Sequence, residues 1–120
     1  YYKPFRAGKH LVVKPSWEHY DAQPGDRVIE IDPGMAFGTG THETTGMCVE
    51  LVEKYVKPGD RVIDVGTGTG ILAIAAKLSG AGDTFATDID HVAVRVADEN
   101  TRRNGQQVTV RHGDLLSAVD

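Results

Sequence analysis

Apolar residues along this chain recur with two periods, and turn residues separate the segments. Leu11-Val12-Val13 reads as a strand ended by Pro15, and Gln23-Pro24-Gly25-Asp26 as a turn. Arg27 to Asp32 alternates apolar and polar, the pattern of a half-buried strand. Asp32 to Thr45 is too rich in glycine for the interior of an element. Thr41 or a neighbour is expected to cap the helix that follows, which runs to about Tyr55 or Val56. Met47, Cys48, Leu51, Val52 and Tyr55 form its expected inward stripe. Pro58-Gly59-Asp60 stops that helix, and Arg61 to Val65, a β-branched run, reads as a buried parallel strand.

Three glycines at alternate positions, Gly66, Gly68 and Gly70, lead into Ile71 to Leu78, an alanine- and leucine-rich helix. Ser79 to Asp83 is a stop, and Thr84 to Asp88 a second apolar strand. Ala93 to Asn104 forms a third helix, with Val92, Val96 and Ala97 toward the sheet and Asn104-Gly105 at its end. Val108-Thr109-Val110 is the next strand. The repeated unit is strand, loop, helix, which predicts an α/β fold with right-handed crossovers.

A strand, a glycine turn and a helix form a ligand cradle at the carboxyl end of the strand. Glycine lets the backbone bend and lets a ligand approach the main chain. The free amides of the helix then suit an anionic group. A dinucleotide fingerprint, G-x-G-x-x-G, would need its third glycine where Ile71 stands. The pattern here is instead D-x-G-x-G-x-G, beginning at Asp64. It resembles the first motif of methyltransferases that use S-adenosylmethionine. Asp88 lies about 20 residues past the turn, where such folds place a carboxylate that accepts from both ribose hydroxyls. Asp90 is assigned to capping the next helix. Asp114 either reaches an adenine amino group or is a turn residue.

Composition adds limits. The 120 residues fit one domain or part of one, and a net charge of -4 gives no support for direct nucleic-acid binding. Arg102-Arg103 suits a helix C-terminus. The single cysteine, Cys48, excludes an intrachain disulfide and reads as a structural thiol. No apolar run is long enough to cross a bilayer, which fits a cytoplasmic protein. Phe5 and Trp17 read as packing residues, with a ligand role for Trp17 left open. The histidines show no metal-ligand spacing, and no general base stands out.

Ile31 to Thr45, Val62 to Ala76 and Asp88-Ile89-Asp90 resemble the PrmA family, bacterial methyltransferases of a large-subunit ribosomal protein. The Phe37-to-Thr45 loop is the specific part of the likeness. The resemblance implies a Rossmann-like class I methyltransferase fold, a doubly wound parallel sheet truncated after about its third strand. It implies S-adenosyl-L-methionine as cofactor and a ribosomal protein amine as acceptor. Thr45, Gly66 and Asp88 match the family's cofactor contacts, with Asp64 and Gly68 in the same cradle. Phe37, Gly38, Thr39 and Gly40 match the loop over the methionine end. Thr69 stands where the family often has serine.

The family's N-terminal domain and its Asn-Ile-Leu motif beside the transferable methyl have no counterpart here. Residues 1–25 are therefore expected to be a lead-in, and 26–120 the cofactor-binding half, with little activity alone. In the family's fold the first strand is central, so Arg61 to Val65 is expected at a bare edge. That edge predicts self-association, or cover from Arg27 to Ile31. Methylation of a small molecule or RNA, and a non-catalytic adenosyl-binding or interaction module, remain open readings.

Overall fold

The computed structural model describes residues 3–34 and 42–113. The order of elements is β1 (Phe5–Ala7), β2 (Leu11–Pro15), β3 (Arg27–Ile31), α1 (His42–Tyr55), β4 (Val62–Val65), α2 (Ile71–Leu78), β5 (Thr84–Asp88), α3 (His91–Arg103) and β6 (Thr109–His112).

The strands form two sheets. β4, β5 and β6 are parallel in that order, with Val62 opposite Thr84 and Asp88 opposite His112. This is the parallel α/β sheet that the repeated strand-loop-helix pattern predicts. Both α2 and α3 pack on β5 and on each other, so they share one face of that sheet. Alternation along β4 leaves Ile63 and Val65 outward, 38% and 50% exposed.

β3 departs from its expected place. It pairs in parallel with β2, Leu11 opposite Arg27 and Pro15 opposite Ile31, while β1 adds antiparallel to β2. Arg27 to Ile31 therefore does not cover β4, whose outer edge is unpaired among the described residues. The reason lies in side-chain burial. Leu11, Val12 and Ile29 are fully buried, and the core joins Ala7, Leu11, Val13 and Ile29 to Val49 of α1 and to Ile74 and Ala75 of α2. Pro15, expected to end β2, is instead its last residue. Two strands of this sheet, β1 and β2, thus lie ahead of residue 26.

α2 contacts strands of both sheets as well as α1. Ala73 to Ala76 are all buried, as fits a helix enclosed on most sides. Small side chains allow the approach: a Cβ on Gly70 would stand 3.3 Å from the Ala97 Cα in α3. α1 is fixed to the hairpin by Glu53, whose carboxylate accepts from the Lys9 and His10 amides at 2.6 and 2.8 Å.

The inward stripe of α1 differs from the expected one. Met47, Leu51 and Tyr55 are exposed, Met47 by 65%, whereas Val49 is fully buried and Val52 partly so. Two residues turn a helix by about 200°, so Met47 and Val49 look in opposite directions. Thr45 lies on the Val49 side. Trp17, expected to pack, is 59% exposed. Thr41 as a cap lies outside the described residues. Among the described residues no helix is long and apolar enough to cross a membrane.

Candidate functional site

The turn after β4 has a left-handed backbone at each of its glycines: φ is +71° at Gly66, +58° at Gly68 and +87° at Gly70. The three differ in what they face. A Cβ on Gly66 or Gly68 would meet nothing within 4 Å, while one on Gly70 would press on Ala97. The first two leave room for a ligand, and the third lets two helices meet. Thr67 pins the turn: its amide donates to the Thr87 carbonyl at 2.9 Å and its carbonyl accepts from the Gly70 amide at 3.0 Å.

Asp64 lies beneath the turn. It accepts from Thr67 Oγ1 at 2.7 Å and from the Ala73 amide in the first turn of α2. Gly70, at the N-cap of α2, supplies no side-chain bond, so Asp64 caps the helix from a distance. Burial pushes the Asp64 pKa up, the two hydrogen bonds pull it down, and the nearby Asp88 carboxylate raises it again; the net direction is upward.

Asp88 ends β5. Its Oδ2 accepts from the Gly68 amide at 3.0 Å and its Oδ1 from the Asp90 amide at 2.9 Å. Asp90 caps α3 as expected, accepting from the Val92 amide at 2.9 Å. Asp88 thereby holds the glycine turn against the second strand and keeps lone pairs for a hydroxyl donor. His91 and His112 flank this tip. Their rings stack at 3.6 Å and the His112 ring meets the Ile89 carbonyl at 2.9 Å. His19 likewise meets Asp21 at 2.6 Å.

A hollow of about 210 Å³ opens on the other side of the turn. Gly66, Thr67, Gly68 and Thr69 form one wall, and Thr44, Thr45 and Cys48 of α1 another. Thr45, Gly66 and Gly68 thus come together. Asp88 does not line the hollow but joins it through the Gly68 amide. Cys48, read as a structural thiol, is half-buried in this wall. Trp17 is not among the lining residues. Phe37, Gly38, Thr39, Gly40 and Asp114 lie outside the described residues.

A third wall escaped the sequence reading. Phe5, Val13, Lys14 and Pro15 reach the hollow from the small sheet, with Ile31 and Pro33 at the end of β3. Lys14 Nζ donates to the Glu18 carbonyl at 2.6 Å and the Pro15 carbonyl at 3.3 Å, and stands 3.5 Å from Glu30 Oε1. No local signal in the sequence places these residues, because the pairing of β2 with β3 is not local.

The Ribosomal protein L11 methyltransferase (PrmA) family model matches residues 1–118. This chain belongs to that family. A ribosomal protein L11 methyltransferase of Pelotomaculum thermopropionicum is 61% identical over all of this chain and 40% of its own length. One from Exiguobacterium sibiricum is 57% identical over 99% of this chain and 38% of its own. The chain therefore spans about two fifths of these PrmA relatives. A crystal structure of a ribosomal protein L11 methylase from Lactobacillus delbrueckii subsp. bulgaricus superposes with a TM-score of 0.88. It shares 37% identity, over all of this chain and 61% of that one. The fold is accordingly that of a class I methyltransferase, of which the described residues hold three parallel strands and the helices on one face.

Proposed function

We propose that this chain holds S-adenosyl-L-methionine for methyl transfer to amines of a ribosomal protein, L11, in the cytoplasm. One observation carries the reading: the open space beside Gly66 and Gly68 faces Thr45 across one hollow, and Asp88 is tied to the same turn. The donor set fits the cofactor. Asp88 retains acceptor capacity for vicinal hydroxyls. Gly66 and Gly68 admit close approach to the backbone. Thr45 offers a hydroxyl for the amino-acid tail, and Asp64 negative charge near it. Phe37 to Gly40 are assigned to the tail by their places in the family's pattern, and Asp114 to the adenine amino group by its place after the last strand in the sequence.

The cofactor supplies a methyl group already activated as a sulfonium. The chain's residues have the task of alignment and exclusion of water. The acceptor amine must be neutral, and deprotonating an ordinary lysine at pH 7 costs about 4–5 kcal/mol. Groups at the acceptor end must offset that through desolvation or hydrogen bonding. We also propose that the edge of β4 left unpaired among the described residues pairs with a second copy of the chain.

Calorimetric titration tests the cofactor assignment. S-adenosylmethionine and its demethylated product are expected to bind, and NAD is not. Binding of NAD alone, or of none of the three, overturns the reading.

A further inference from the structure

Among the described residues the outer edge of β3 has no neighbouring strand, yet the backbone groups of Glu30 and, just past the strand, of Asp32 find partners. Two asparagines one turn apart, Asn100 in α3 and Asn104 at its C-cap, stand in for such a strand. Asn104 Oδ1 accepts from the Glu30 amide and its Nδ2 donates to the Glu30 carbonyl, both at 2.8 Å. Asn100 repeats this two residues on: Oδ1 accepts from the Asp32 amide at 3.0 Å and Nδ2 donates to the Asp32 carbonyl at 2.8 Å. A side-chain amide carries the same donor and acceptor as a peptide unit, so each asparagine bonds one residue as a strand would.

Asn100 does one thing more. Its Nδ2 also donates to the Thr69 carbonyl at 2.9 Å, inside the glycine turn. The side chain is fully buried. Asp32 leads directly into Pro33, so this one amide touches the backbone behind two walls of the hollow. Ile31 and Pro33 form one wall, and Gly66 to Thr69 the other. Close by, Gly34 has φ +53°, and its Cβ would fall 3.0 Å from Val96 Cγ2 in α3, so the end of β3 sits tightly on that helix.

We propose that Asn100 is a positioning residue that sets the spacing of the hollow where the amino-acid tail of the cofactor lies. Asn104, whose side chain bonds Glu30 and the Asn100 carbonyl, does not share this role. The inference rests on the cofactor assignment above. Asn100→Asp keeps the shape and one acceptor but turns a carboxylate toward the Asp32 and Thr69 carbonyls, which both lose their donor.

The test compares Asn100→Asp with Asn104→Asp in the full chain. Titrations use S-adenosylhomocysteine, which has the tail, and adenosine, which lacks it. With the buried Thr69 carbonyl and the part-buried Asp32 carbonyl left without their donor near the tail, Asn100→Asp should weaken S-adenosylhomocysteine about tenfold or more and adenosine less than about twofold. Asn104→Asp should leave the ratio of the two affinities unchanged. Equal loss for both ligands, or the same ratio in both variants, overturns the inference, because a structural defect alone would weaken both. Failure of the unsubstituted chain to bind S-adenosylhomocysteine overturns the cofactor assignment itself. Should Asn100→Asp not fold, side-chain amide NMR on the unsubstituted chain decides. The Asn100 resonances should shift on adding S-adenosylhomocysteine and those of Asn104 should stay, whereas equal or absent shifts overturn the inference.

Discussion

Asp64 is pulled two ways. Burial and the Asp88 carboxylate favour its protonated form, and the Thr67 and Ala73 bonds favour the charged one. Its folded pKa lies above the unfolded value near 3.8. The stability it contributes is therefore full below that value and is lost as the pH rises through the folded pKa. Asp64→Asn keeps an acceptor for the Ala73 amide and removes the charge. The variant should melt higher than the parent at pH 7, with the difference shrinking toward pH 4, and should bind S-adenosylmethionine more weakly. Melting curves across that range check the first part and titration the second. Asp26 behaves oppositely. The Gln23 amide leads in holding its pKa down, with Arg6 and Tyr20 also bonded to it. Its contribution is present above the unfolded value and disappears as the pH falls through the folded one.

Among elements, the strand-turn-helix of β4 and α2 shows how one glycine pattern serves two purposes. Gly66→Ala places a methyl group in open space, so its stability cost is the left-handed backbone alone, about 1–2 kcal/mol. Gly70→Ala adds a 3.3 Å contact with the Ala97 backbone. Backbone strain and overpacking together should cost about 2–4 kcal/mol. The expected outcome is a crossed pattern. Gly66→Ala loses mainly cofactor affinity, and Gly70→Ala mainly stability, as read by titration and by urea unfolding. This segment was legible in the sequence because Arg61 to Val65 is bounded by turn residues on both sides. α1 was less so: Met47, Leu51 and Tyr55 make the longer apolar stripe, but packing selected the shorter Val49–Val52 face. Asn100 was not legible at all. A polar residue in an amphipathic helix reads as surface, and only its bonds to Asp32 and Thr69, distant in sequence, show otherwise.

For the molecule as a whole, sequence-local order was readable and the arrangement between sheets was not. The β4–β5–β6 ladder follows from three similar units in succession. The pairing of Leu11–Pro15 with Arg27–Ile31 follows from a shared core with α1 and α2, which no single segment displays. The outward Ile63 and Val65, beside an edge unpaired among the described residues, favour strand addition. Sedimentation should show concentration-dependent association of the parent chain, and Ile63→Lys should shift it toward monomer. A monomeric parent at all concentrations defeats that expectation.

Lys14 gives the hollow a peculiar property. Methylation of amines requires a nitrogen lone pair aimed at the donor, and here the protein's own amine borders the hollow proposed for the cofactor. Its head group is turned instead to the Pro15 and Glu18 carbonyls and to the Glu30 carboxylate. An enzyme built this way would be spared from modifying itself by the company its lysine keeps.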